Sequence, residues 1–330
     1  MGDQLNAIFG ATVSMCLALA AVGAEAAEKL KIGHVLPKGS QFSEAVQVMD
    51  QELQKRTAGR YSIEEYPASA LGDGKAMLDG VKLGTIDMVM SSSGGALGQF
   101  NPTLGILDLM LLFRDEAHVD SVLDGPIGNS LLDSFKAQGT VGLAWGENGF
   151  RQLTNSLRPV KTPADIAGMK IRIAESEIYK KAFEALGSKP FTLPFAQVYP
   201  ALKNGQAEGQ ENPITTIVGS KLNEVQSQIT LSYHTYAPAV ILINADRFGD
   251  MTPEDQKALQ DAAKLGGKAS RVFVRARDAK GLEALKASGI TITPTTDFDR
   301  AAFEKALAPF YAEMAKVYPM DQIMAIKNTK

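Results

Sequence analysis

The chain carries an arginine, an asparagine and a run of serines placed where a small anion could be held. In GMKIRIAES (residues 168–176), Met169 to Ile173 alternates apolar and basic residues, as a short strand does, and sets Arg172 near its end. Further on, Gln210-Glu211-Asn212-Pro213 reads as a polar turn closing the same unit. An arginine and an asparagine at strand ends can face one crevice, where open α/β sheets bind ligands. An arginine there is a planar fork matched to a carboxylate or a phosphate. The pattern also describes a surface strand with a solvated arginine, and spacing alone does not separate the two. Ser91-Ser92-Ser93-Gly94-Gly95, directly after another predicted strand, either lines a ligand cleft or forms a tight loop.

Other chemistries lack their residues. His34, His118 and His234 are the three histidines, and no HExxH or paired spacing connects them. No GxSxG elbow is present, and the single cysteine, Cys16, lies near the start of the chain. No Gly-Lys-Ser/Thr follows the serine run, and Met77 stands where a dinucleotide pattern begun at Gly72-Asp73-Gly74 needs its third glycine. A net charge of −3 with no basic run argues against nucleic acid. No catalytic residue, metal or cofactor is expected; a secreted hydrolase would have to use scattered residues that no motif reveals.

GMKIR, followed by LPFAQVYPALKNGQAEGQENP (residues 193–213), resembles the signature of the substrate-binding proteins of tripartite ATP-independent periplasmic (TRAP) transporters, the DctP-like family. That pattern is roughly G-x-K-x-R, then F-x-E-V-Y-x-A-L-x-x-G-x-x-D-G-Q-E-N-P. The chain departs from it with Gln197 for Glu and Glu208 for Asp. The similarity runs from about Lys31 to about residue 320. Arg151 matches the family's G-x-R.

The resemblance implies a two-lobed periplasmic binding protein fold of the α/β class, with a ligand cleft between lobes, crossing strands and a long hinge helix. It implies capture of a small organic acid for a TRAP-type, ion-gradient-driven uptake transporter, with the membrane subunits as partners. The ligand class spans C4-dicarboxylates, sugar acids and related hydroxy or keto acids, and the serine run tilts toward a hydroxylated one. In this reading Arg172 holds the carboxylate bidentately, Arg151 adds a second cation and Asn212 donates an amide hydrogen bond. For Arg151 the alternative is an ion pair with a nearby carboxylate at the seam. Phe195 and Trp145 wall the apolar side, although a lone tryptophan also suits a core. Ser91, Ser92, Ser93, Gln41 and Tyr236 select the far end. Rival readings are the binding protein of an ABC transporter and a ligand-presenting sensor component.

Several elements must position these residues. Lys29 to Val35 and Tyr61 to Tyr66 read as strands, and Asp87 to Met90 as a third; helices from Phe42 to Leu53 and from Lys75 to Leu83 alternate with them, implying a parallel sheet. Residues 103–113 read as core, and Thr140 to Trp145 as a strand running into GENGFRQLTNS. Ser176 caps a helix that Gly187 stops. Gln228 to Asn244 is long and β-rich, broken at Ala237-Pro238. Thr252-Pro253-Glu254-Asp255 is a capping box opening a helix to about Lys286, with Gly266-Gly267 as its weak point. Residues 7–24 are apolar and Ala24-Glu25-Ala26 offers an A-x-A site, predicting a cleaved signal peptide over 1–26 and a periplasmic location. The lobes are expected as 27–148 with about 238–277, and 149–237 with about 278–330.

Overall fold

The computed structural model describes residues 27–330, so the expected signal peptide lies outside the described residues. Its strands are β1 (Glu28–Gly33), β2 (Tyr61–Tyr66), β3 (Met88–Ser92), β4 (Thr140–Asn155), β5 (Lys170–Ile173), β6 (Lys189–Thr192), β7 (Gly209–Pro213), β8 (Gln228–Asn244) and β9 (Thr291–Thr293). They form one mixed sheet in the order β2-β1-β3-β8-β4-β7-β5-β6, with β9 also on β8. At one end β1 pairs in parallel with β2 and β3, and at the other β5 pairs in parallel with β6 and β7. Between them lies the antiparallel pair β4 and β8.

That pair makes the molecule two-lobed. β4 has 16 residues and β8 has 17, so each spans about 50 Å at roughly 3.3 Å per residue, more than one small sheet needs. The Ala239–Ile243 half of β8 pairs with β3, whereas the Gln228–Thr230 end pairs with β9. Each strand therefore gives one end to each lobe. The expected break at Ala237-Pro238 does not occur. Pro238 faces Glu147, where β4 carries a bulge between Glu147 and Gly149, so the ladder is already interrupted where the proline has no N–H to offer. Gly149 has φ +118°, a backbone conformation closed to other side chains.

A third connection is the helix Pro253–Ala287, 35 residues capped by Thr252, whose side chain accepts from Asp255 N. It is continuous through Gly266-Gly267. A Cβ at Gly266 would lie 2.5 Å from the carbonyl oxygen of Ala45, and one at Gly267 2.2 Å from that of Trp145. The glycines are thus the point of closest approach to the Gln41–Arg56 helix and to β4, and packing outweighs their poor helix propensity of about 1 kcal/mol each.

Separate apolar cores lie beneath the two parallel ends, one built around Leu30, Ile32, Phe42 and Met49, the other around Val198, Ile217 and Ile229. A third core joins them, with Leu104 to Phe113 buried against Tyr179, Phe183 and the C-terminal helices. The expected polar turn at Gln210–Pro213 is instead the buried strand β7. Its polar side chains tolerate burial because each has a partner, Gln210 with Thr154, Glu211 with Arg151 and Asn212 with Gln210.

Candidate functional site

β5 buries Ile171 and Ile173 completely on its core side, which turns the alternating Arg172 toward the seam between lobes. Arg172 is only 3% exposed. Its Nε and Nη2 donate to the carbonyl oxygen of Leu193 at 3.1 and 2.6 Å, and no described carboxylate forms an ion pair with it. Burial pushes its pKa down to about 10, partly offset by Glu211 and reinforced by Arg151. A buried cation held in place by a carbonyl, with donors to spare, is prepared for an anion that the protein itself does not supply.

Arg151 is as deeply buried but committed. Its Nε donates to Glu211 Oε2, while Nη2 donates to Glu211 Oε1 at 2.8 Å and to Asn212 Oδ1 at 3.2 Å. Its guanidinium also lies 5.6 Å from the Tyr179 ring centroid. Burial alone would raise Glu211, but the charge of Arg151 and the His234 imidazole 3.5 Å away bring it down to about 2. Arg151 thus lines the crevice but is ion-paired at the seam, with its charge directed at Glu211.

The crevice has a volume of about 60 Å³, and Arg151, Arg172, Asn212, Ser91, Ser92 and Phe195 all line it. Ser91 and Ser92 reach it from the end of β3, where they pair with Val240 and Ala239 of β8. Asn148 and Glu175 line it as well, and sequence reasoning passed over both. Asn148 is the extra residue of the β4 bulge, which turns its side chain inward. Glu175 follows Arg172 by three residues on the connection leaving β5.

Four expected residues lie elsewhere. Trp145 donates its indole N–H to Gly128 O at 3.0 Å and faces a different hollow beside Asp120 and Arg271. Tyr236 packs 5.0 Å from Phe150 in the core and hydrogen-bonds Glu147 at 3.1 Å. Ser93 is buried behind the crevice in the one-turn segment Ser93–Leu97. Gln41 acts one step back, donating to Asn148 Oδ1 at 2.8 Å and to Thr216 Oγ1 at 3.2 Å. Gln41 and Thr216 line a second, outer hollow of about 380 Å³, and Asn148 lines the crevice.

Behind the arginines lies Asp108, fully buried, accepting from Ser176 Oγ at 2.7 Å. Ser176 also caps the helix Glu177–Ala185, as the sequence predicts. Burial raises Asp108 to about 7, against the opposing bond from Ser176 and the nearby Ser93 and Arg151. Among the described residues no group of three or more His, Cys, Asp and Glu could hold a metal ion, and no helix is long and apolar enough to cross a membrane.

Two lobes joined by crossing strands, with a buried and uncompensated cation between them, define a binding protein that encloses a small anionic ligand. The family model for bacterial extracellular solute-binding protein family 7, DctP, matches residues 32–317. The 2,3-diketo-L-gulonate-binding periplasmic protein YiaO of Escherichia coli K12 is 39% identical over 282 residues, covering 86% of this chain and 85% of its own. The C4-dicarboxylate-binding periplasmic protein DctP of Rhodobacter capsulatus is 32% identical over 330 residues, 98% of this chain and 97% of its own. A crystal structure of a TRAP periplasmic solute-binding protein from Polaromonas sp. JS666, bound to D-erythronate, superimposes with a TM-score of 0.89 at 38% identity, covering 92% of this chain and 99% of that one. The chain belongs to the DctP family of TRAP solute-binding proteins.

Proposed function

We propose that this protein captures a small organic acid in the periplasm and delivers it to the membrane subunits of a TRAP transporter, without catalysing a reaction. One observation carries the reading: Arg172 is buried in the inter-lobe crevice with no carboxylate partner of its own. A ligand carboxylate supplies that partner, Asn212 and Asn148 bond its oxygens or a neighbouring hydroxyl, and Phe195 covers the apolar side. The acids bound by the similar proteins, D-erythronate and 2,3-diketo-L-gulonate among them, support this class of ligand. Delivery to a membrane partner rests on family membership. A thermal-shift screen against organic acids tests the reading, since a ligand at 100 times its Kd adds about 2.7 kcal/mol of stability. A protein that no carboxylate stabilises would refute it.

The lobes divide in this proposal at residues 148/149 and 237/238, with the crossing helix passing between them near residue 277. The bulge at Glu147/Gly149 opposite Pro238 supports the strand boundaries, because a ladder interrupted at one level can flex there. The C-terminal helices share a core with both sides and belong less cleanly to either. A crevice this small admits ligand only if the lobes part and then close. Small-angle scattering should show a smaller radius of gyration with ligand than without, and identical curves would count against closure.

A further inference from the structure

Not every carboxylate suits this crevice. We infer that it selects a hydroxylated monocarboxylate over a dicarboxylate, and that Glu175 is the residue that refuses the second carboxylate. The inference rests on the anchoring of an acid at Arg172 and deepens that reading.

The charged side chains lining the crevice are Arg151, Arg172 and Glu175. Arg151 already spends its charge on Glu211, buried with it. One cation is left uncommitted, which suits one ligand carboxylate. A second would enter a desolvated space with no positive partner, and an uncompensated buried charge is strongly unfavourable. The cations Lys38, Arg277 and Lys280 line the outer hollow and not the crevice.

Glu175 sharpens the discrimination. Its carboxylate is half-buried and forms neither an ion pair nor a side-chain hydrogen bond with any described residue; only its backbone carbonyl is engaged, by Gln99 Nε2 at 3.2 Å. An ionised carboxylate only accepts hydrogen bonds, so a group placed opposite it must donate. A ligand hydroxyl does so, whereas a ligand carboxylate adds like charge to like charge. Burial and Asp73 already hold the Glu175 carboxyl above its ordinary range, against the pull of Arg172. Ser91 and Ser92 can each both donate and accept, and Asn148, whose Oδ1 is taken by Gln41 and Thr216, keeps its amide N–H groups to donate, as a polyhydroxylated chain requires.

The test is isothermal calorimetry at neutral pH on the full mature chain with length-matched pairs, D-erythronate against L-malate and D-gluconate against D-glucarate. The wild type should bind the monoacid of at least one pair about 100-fold more tightly than its diacid, since like-charge juxtaposition costs several kcal/mol. Glu175→Gln and Glu175→Ala, both checked for folding by circular dichroism, should each narrow that ratio about tenfold or more, by weakening the monoacid and strengthening the diacid. Equal affinities within both wild-type pairs, or an unchanged ratio in the two folded variants, would overturn the inference while leaving the organic-acid reading intact. Failure of every acid to bind the wild type would overturn both.

Discussion

Replacing Arg172 by methionine should separate the binding of ligand from the stability of the fold. The side chain keeps its length and apolar stem but loses its charge. In the folded protein, burial without a carboxylate ion pair displaces the arginine pKa down to about 10. At roughly 1.4 kcal/mol per tenfold change in proton affinity, that is a cost of about 3 kcal/mol which the substitution removes. Against it stands the Leu193 carbonyl, which loses both guanidinium donors; an unsatisfied buried acceptor costs about 1–3 kcal/mol. The ligand-free variant should therefore be between unchanged and about 2 kcal/mol more stable in urea unfolding. Its affinity for an acid should fall by about 2–5 kcal/mol, roughly 30- to 5000-fold, because the ligand carboxylate is left without its cation. Arg172→Lys, which keeps a charge but loses the fork, should fall in between. Unfolding curves and calorimetry on the same preparations give both numbers. A variant that loses several kcal/mol of ligand-free stability yet binds acids as the wild type does would show that Arg172 is structural, and the anchor would have to be sought elsewhere.

Removing the partner of the other arginine should have the opposite signature. Glu211→Gln strands Arg151 in a fully buried position and should cost about 3–5 kcal/mol of stability with or without ligand, measured by chemical unfolding. Asp108 keeps its proton up to about pH 7 in the folded protein, whereas the unfolded chain loses it near pH 4. The native state thus binds the extra proton between those values, and this group's contribution falls as pH rises from about 4 to 7, then levels off. Asp108→Asn removes the dependence, so its stability relative to wild type should improve by about 4 kcal/mol between pH 4 and pH 8; a constant difference would refute the burial argument. Gly267→Ala should lower the melting temperature despite better helix propensity, because its Cβ meets the Trp145 carbonyl, and the backbone shift needed costs about 1–3 kcal/mol.

Much of the crevice lining was legible in the sequence, and two of the residues that lie elsewhere, Trp145 and Tyr236, share a cause. Arg172, Asn212, Ser91, Ser92 and Phe195 lie at element ends, where local pattern is enough to aim a side chain at the seam. Trp145 and Tyr236 lie within the crossing strands, where facing depends on register. Trp145 is six residues before Arg151, which in a regular strand puts both on one face. The bulge inserts Asn148 between them, flips the alternation and sends the tryptophan away while turning the asparagine in. Tyr236 is paired with Phe150, the neighbour of Arg151, and so shares the opposite face. Neither effect can be read without the partner strand. The strand character of Gln210–Pro213 was hidden for a related reason, since its polar residues are satisfied by β4, which lies far away in sequence.

The crossing strands also constrain how the chain is made. β3 completes its ladder only when Met88 meets Ile243 and Ser92 meets Ala239, so the N-terminal lobe lacks its inner strand until nearly three-quarters of the protein has been synthesised. No contiguous piece ending before β8 contains a finished sheet, and closing so large a loop delays the decisive contacts. A nascent chain of this design stays incompletely folded for most of its translation, and its unpaired β3 edge needs protection until β8 has been made.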